Sequence, residues 1–275
     1  MSAADLTVRF ETRSQGEAAF VTLGDPARLN ALGSDLMARF IAEMERLGAR
    51  PELRAIVLRG AGARAFVGGA DIGEMAAIST PQEARTFITR VHETCAAVRH
   101  CPVPVIAAIR GWCLGAGLEL AAACDLRLAA ASSRFGMPEV RLGVPSVVEA
   151  ALLPALIGSG AAHEVLLLGE TFDAARAEAL GLVNAVAAEE ALDALLETRL
   201  DALMAGGPEA LRLQKALMRR WEGEAIEAAI AVGIEAFAAA YESGEAQRRM
   251  GAFMAEREAR RAARGAAKGA ARRDA

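Results

Sequence analysis

The run Pro104-Val-Ile-Ala-Ala-Ile-Arg110 carries no polar residue between its ends. Successive side chains of a strand point to opposite faces, so a strand of this composition has to be covered on both sides. Leu53-Arg-Ala-Ile-Val-Leu-Arg59 and Asp125-Leu-Arg-Leu-Ala-Ala130 read as further strands. Between them the period changes. Ser34 to Leu47 places apolar residues at 36, 40, 41, 44 and 47, the stripe of an amphipathic helix with Ser34 as its cap, and Pro81 to His100 reads as a second helix. Near the N-terminus, LTVRFET and EAAFVTL form a hairpin-like pair turning near Gly16, and Gly24-Asp25-Pro26 breaks the pattern. Strands alternating with helices predict an α/β core over residues 1–200. Residues 201–275 read as a helical region that ends in a basic Ala/Arg/Gly tail.

A chain of 275 residues, 53% of them hydrophobic, can bury a sizeable core. Its net charge of -4 gives no electrostatic reason to expect nucleic acid or an anionic membrane as the main partner. MSAADLTVRF lacks the pattern of a secretory signal, and no apolar run reaches the ~20 residues that span a bilayer, so a cytoplasmic location is expected. Cys95, Cys101, Cys113 and Cys124 show no C-x-x-C spacing, and the chain has three histidines. Buried free thiols are expected, with neither a disulfide framework nor a metal site.

Gly60-Ala-Gly-Ala-Arg-Ala65 follows a strand and fits a loose dinucleotide-binding pattern. What comes next is more loop, Phe66-Val-Gly-Gly-Ala70, where that motif requires a helix. There is no G-x-S-x-G elbow and no P-loop. Two glycine-rich segments, Val67-Gly-Gly-Ala-Asp-Ile72 and Gly111 to Gly117, each run into a helix start. They would either offer backbone N–H groups to a ligand or serve only tight turns and close packing. Glu119 stands among small and apolar neighbours in Leu114-Gly-Ala-Gly-Leu-Glu-Leu-Ala-Ala-Ala-Cys-Asp125. A carboxylate there needs a use or a partner such as Arg127 or Arg141. Glu139 follows a proline in an apolar-flanked loop, where a solvated turn residue is the alternative. Two carboxylates near two polarising amides suit proton transfer beside a carbonyl.

The segments Gly68-Gly-Ala-Asp-Ile-x-Glu-Met75, Gly111-x-x-Leu-Gly-Ala-Gly-x-Glu-Leu120 with Cys124-Asp125, and Phe135-Gly-x-Pro-Glu-Val-x-Leu-Gly143 resemble the enoyl-CoA hydratase/isomerase family, the crotonase superfamily. The similarity runs from Leu29-Asn-Ala-Leu32 through Gly169-Glu-x-Phe-x-Ala174 and Ala179-x-Gly-Leu-Val183 to Ala252-Phe253. The resemblance implies a spiral of β-β-α units with a C-terminal helical region that packs trimers, or dimers of trimers. It implies that the amides of Ala70 and Ala116 hold a thioester oxygen, and that Glu119 and Glu139 flank one water that adds to a 2-enoyl-CoA. Coenzyme A arrives as part of the acyl-CoA substrate, with no resident cofactor. Its contacts are implied along Ala27, Arg28 and Leu29, along Ala70, Asp71, Ile72 and Gly73, and at Gly115, Ala116, Ser146 and Phe253. Isomerases and other lyases of the superfamily share this frame and are the alternative, and a non-catalytic protein binding RNA through its basic tail is a more distant one.

The chain departs from the family where a glycine-rich run becomes Val144-Pro-Ser-Val-Val-Glu149. Ser146 and Glu149 read as a capping box, and Val147 with Val148 would narrow the acyl wall in favour of short enoyl groups. Arg248-Arg249 and Glu256 replace residues that relatives use near the C-terminal coenzyme A contact, with Arg257 as a substitute. Leu211, Leu213, Leu217, Met218, Trp221, Ile226, Ile230, Ile234 and Phe237 exceed what one core-facing stripe needs, so part of that surface is expected to meet another subunit.

Overall fold

The computed structural model of the chain describes residues 5–13, 15–239, 241–242, 244–252, 254–255 and 259. β1 (Asp5–Arg13) and β2 (Gly16–Gly24) pair antiparallel as the predicted hairpin, Asp5 opposite Gly24 and Arg13 opposite Gly16. A 3-10 turn, Pro26–Arg28, leads toward α1 (Ser34–Gly48), β3 (Leu53–Gly60), β4 (Ala65–Val67), α2 (Ile72–Ala77) and α3 (Pro81–His100). Next come β5 (Val105–Ile109), β6 (Trp112–Leu114), α4 (Ala116–Ala123), β7 (Leu126–Ala130) and β8 (Arg134–Gly136). Two more 3-10 turns, Pro138–Leu142 and Val148–Leu152, precede α5 (Leu153–Ile157), α6 (Ser159–Leu168), β9 (Thr171–Asp173), α7 (Ala174–Ala179) and β10 (Ala185–Ala187). The helices α8 (Leu192–Ala205), α9 (Pro208–Trp221) and α10 (Ile226–Ala239) follow.

The chain divides after Ala205 into two compact units. In the first, the described strands form a six-stranded sheet in the order β1-β2-β3-β5-β7-β10, parallel from β2 onward, and a four-stranded sheet in the order β4-β6-β8-β9. Each of β3, β5 and β7 runs into a three-residue strand of the second sheet, and helices follow the first two of these pairs, so successive turns of chain stack as a β-β-α spiral. The unbroken apolar runs have the two-sided cover their composition demands. Ala19, Val21, Ile56, Leu58, Val105 and Ala107 face the main core, whereas Ala18, Phe20, Ala55, Val57, Ile106 and Ala108 pack against Leu192, Leu196, Leu200 and Met204 of α8.

One local expectation changes here. Ser34 is the first residue of α1 rather than its cap; Gly33 holds the cap position, and the Ser34 amide donates to both carboxylate oxygens of Glu74 at 3.0 Å. A true capping box stands on α3 instead, where Thr80 Oγ1 accepts from the Glu83 amide and Glu83 accepts from the Thr80 amide. The four cysteines are buried thiols outside any disulfide, as expected. In the second unit α9 and α10 pack together, leaving Ile230, Ile234 and Phe237 of α10 mostly exposed. No helix among the described residues is long and apolar enough to cross a membrane.

Candidate active site

Gly68 to Ala70 leaves the edge of β4 beside the turn that follows β2. Asn30, fully buried and in the left-handed region at φ 57, donates from Nδ2 to the carbonyls of Ala61, Ala65 and Phe66 at 3.1, 2.8 and 3.3 Å. Asparagine tolerates that backbone conformation, and three acceptors on one amide fix the segment ahead of the glycines. The Gly68 amide donates to Leu29 O at 2.8 Å, and Leu32 bridges Ala70. Among the described residues the Ala70 amide has no acceptor.

The second loop comes from β6. Gly115 adopts φ 50, ψ −124, a conformation strained for any residue with a side chain, and α4 starts at the next residue. The Ala116 amide is therefore an unpaired donor at a helix start, with the dipole behind it, and it too has no acceptor among the described residues. A Cβ built on Gly115 would stand 4.0 Å from Gly69 Cα and overlap the Glu139 carboxylate. Thus the two loops meet, and the second glutamate lies over their junction. Gly117 faces the Val67 backbone with no space for a methyl group, which lets α4 lie close against β4. Close packing and two free-standing backbone donors occur together here: the packing of the glycine segments aims the two amides.

A cavity of about 570 Å³ opens in front of these amides. Gly115, Ala116, Glu119, Glu139 and Ser146 line it, with apolar walls from Met75 and Ile78 near α2 and from Phe87, Ile88 and Val91 on α3. Glu119, 4% exposed, accepts a hydrogen bond on Oε1 from the Ala150 amide at 3.2 Å. Burial pushes its carboxyl up to about 8; the negative charges of Glu139 and, less, Glu149 add to this, and the Ala150 amide opposes it. Its neighbours are thus acids rather than the arginines considered as partners. Arg127 instead donates to the carbonyls of Leu182 and Cys124 at 2.7 and 2.5 Å, and Arg141 donates to Leu168 O and pairs with Glu170. Glu139 is half-buried in the Pro138–Leu142 turn rather than a solvated turn residue.

The capping box expected at Ser146 and Glu149 does not form. The turn starts at Val148 after Val147, without a side-chain cap. Ser146 Oγ donates instead to Glu139 Oε2 at 2.8 Å, and Glu149, 2% exposed, is held by His92 and Arg99 of α3. The expected narrowing by two valines also changes: Val147 lines the cavity, whereas Val148 packs on the core. Val148 sits at φ 42, a conformation that costs a β-branched residue on the order of 1–3 kcal/mol.

Of the other sequence-predicted contacts, Ile72 lines the cavity mouth. Asp71 is buried, accepts from the Gly73 and Glu74 amides at 2.8 and 3.1 Å, and binds Arg28, so Asp71, Gly73 and Arg28 are engaged with one another. Exposed Ala27 and Arg28 and half-buried Leu29 form the turn and cap flanking Gly68 and do not line the cavity. Phe253 and Arg257 lie outside the described residues, as does nearly all of the basic tail. Sequence reasoning missed the positioning roles of Asn30, Glu74 and Ser146. An asparagine beside a left-handed residue is a signal for the first; the others depend on contacts across 40 and 7 residues. Among the described residues no group of three or more His, Cys, Asp or Glu side chains is placed to share a metal ion.

One buried and one half-buried carboxylate thus share a cavity with two convergent amides, an arrangement suited to chemistry beside an acyl carbonyl. The chain belongs to the enoyl-CoA hydratase/isomerase family, whose model matches residues 13–261. It is 33% identical over 245 residues to a short-chain-enoyl-CoA hydratase of Clostridium acetobutylicum, covering 89% of this chain and 94% of that protein. A crotonyl-CoA hydratase of Syntrophomonas wolfei is 32% identical over 242 residues, covering 88% of this chain and 93% of that protein. The crystal structure of an enoyl-CoA hydratase from Mycobacterium smegmatis superposes with a TM-score of 0.86 at 30% identity, covering 90% of this chain and 96% of that one.

Proposed function

We propose that the protein hydrates short 2-enoyl-CoA thioesters by reversible syn addition of water across C2=C3. The observation that carries this reading is the presence of two carboxylates, Glu119 and Glu139, at one cavity with two unpaired amides. The amides of Ala70 and Ala116 receive the thioester oxygen and stabilise the charge that develops on it. Water's oxygen bonds to C3 while one of its protons passes to Glu119. The C2=C3 electron pair moves toward the thioester, and C2 takes the proton held by Glu139. The carboxylate pair starts and finishes with one proton, now on Glu119, and exchange through the next water returns it to Glu139. At rest the pair's proton favours buried Glu119; the step runs from the form with that proton on Glu139, in which the Glu119 carboxylate, its carboxyl pushed up to about 8 by burial, is a strong base for the water proton.

Double-bond migration needs one base, so the second carboxylate, anchored by Ser146, favours hydration over the isomerase alternative. Val147, Leu142 and Val144 at the cavity, together with the relatives named for short-chain and crotonyl substrates, support a short acyl group. The turn of Ala27, Arg28 and Leu29 would take the adenine end of coenzyme A, which enters as part of the substrate; no resident cofactor is invoked. The exposed Ile230, Ile234 and Phe237 support a homotrimer or a dimer of trimers, which sedimentation at micromolar concentration tests against a monomer. Glu119→Gln and Glu139→Gln are each expected to lower kcat on crotonyl-CoA at least about a hundredfold, the scale of a lost general acid or base. Near wild-type hydration by either variant would remove its residue from the mechanism.

A further inference from the structure

Glu149 is a buried carboxylate that this mechanism does not use. Its Oε1 lies 2.9 Å from His92 Nδ1 and 3.7 Å from an Arg99 nitrogen, while its Oε2 is buried and finds no hydrogen-bond partner among the described residues. His92 is half exposed, so the pair reaches from solvent to the back of the site. The groups facing Glu149 are His92, Cys95 and Arg99 from α3 and Glu119 from α4. The turn that carries it packs on both of those helices. The very next residue, Ala150, supplies the one hydrogen bond described for the Glu119 carboxylate. That turn begins at strained Val148 and has no capping side chain; it closes through the Ala150 amide donating to Val147 O at 2.9 Å, and the ties from α3 to Glu149 add a restraint from outside it.

We propose that Glu149 is a positioning residue for Glu119: clamped by His92 and Arg99, it helps hold the turn that presents the Ala150 amide and places a negative charge behind the catalytic carboxylate. The charge keeps a proton on Glu119 to higher pH than burial and Glu139 alone would, consistent with the direction in which Glu149 acts on it. The catalytic consequence rests on the hydratase reading; the coupling itself does not.

A double-mutant cycle separates the two. Unfolding by urea is measured across pH for the wild type, Glu119→Gln, Glu149→Gln and the double variant, so that the Glu119 proton is read as a difference within each background and the titration of Glu149 itself cancels. In the wild-type background the gain from Glu119→Gln should stop rising near pH 8; in the Glu149→Gln background it should stop on the order of half a pH unit lower or more, as expected for removing one nearby like charge. An unmoved plateau overturns the coupling whatever the enzyme hydrates. A moved plateau without turnover of crotonyl-CoA overturns the hydratase reading alone. If Glu149→Gln does not fold, the half-exposed His92 provides the second arm. His92→Ala should lower kcat roughly tenfold through a misplaced catalytic group while KM stays within about twofold, and His92→Gln, which restores a donor, should recover most of it. Wild-type kcat in His92→Ala, or a loss confined to KM, overturns the positioning role.

Discussion

Replacing Glu119 by glutamine is expected to stabilise the protein, and to do so only above mildly acidic pH. In the unfolded chain the carboxyl ionises at its ordinary 4.5, whereas in the fold burial and the neighbouring carboxylates move it to about 8. Between those values the unfolded state has released a proton that the folded state keeps, so wild-type stability falls as pH rises through this window. Each pH unit is worth about 1.4 kcal/mol, which sets an upper bound on the order of 5 kcal/mol by pH 8. Solvent and structural relaxation reduce this to a few kcal/mol. Glutamine keeps an Oε1 for the Ala150 amide and the size of the side chain, so little else changes. Urea unfolding followed by circular dichroism at a fixed protein concentration, at pH 5, 6.5, 8 and 9, reads the difference directly. The variant should be nearly as stable as wild type at pH 5, increasingly more stable up to pH 8, and no further ahead at pH 9. A difference that stays flat with pH, or a less stable variant at pH 9, would refute the claim that this carboxyl is held in its neutral form by its surroundings.

Other expectations concern the donors, the second glutamate and the acyl wall. Ala116→Pro removes one of the two amides at a position where proline suits the first turn of a helix and the preceding Gly115 is permissive, so the protein should fold and lose on the order of 3 kcal/mol of transition-state stabilisation; kcat/KM on crotonyl-CoA measures it, and full activity would exclude the amide. Ser146→Ala frees the Glu139 carboxylate from its 2.8 Å hydrogen bond and should lower kcat several-fold, about 1 kcal/mol, with KM nearly unchanged in steady-state assays. Val147→Ala should raise kcat/KM about fivefold for eight-carbon relative to four-carbon substrates, since a methylene that newly fits is worth roughly 1 kcal/mol, whereas Val148→Ala, away from the cavity, should leave that ratio alone.

The long strands and helices were legible because their signals are local. Pro104 to Arg110 announced two-sided burial, and α1 and α3 showed their stripes. The second sheet was not, since β4, β6, β8 and β9 span three residues each, too few for any period to register. At the site, Glu119 stood out as a charge among apolar neighbours, and Ala116 as a helix start after glycines. Ser146 and Glu149 misled: their spacing satisfies a local rule, but the partners that claim them, Glu139 and His92, come from the preceding turn and from a helix more than fifty residues away. Tertiary contacts outbid the cap, and the turn accepted a valine at positive φ as a result.

The measurement closest to the central claim is the fate of labelled water. Wild-type protein given crotonyl-CoA in ¹⁸O-enriched water and deuterium oxide should yield 3-hydroxybutyryl-CoA carrying ¹⁸O at C3 and one deuterium at C2, added on the same face, with both labels lost when Glu119 or Glu139 is replaced by glutamine. Deuterium entering a shifted double bond without any 3-hydroxy product, or no label in any product, would contradict it.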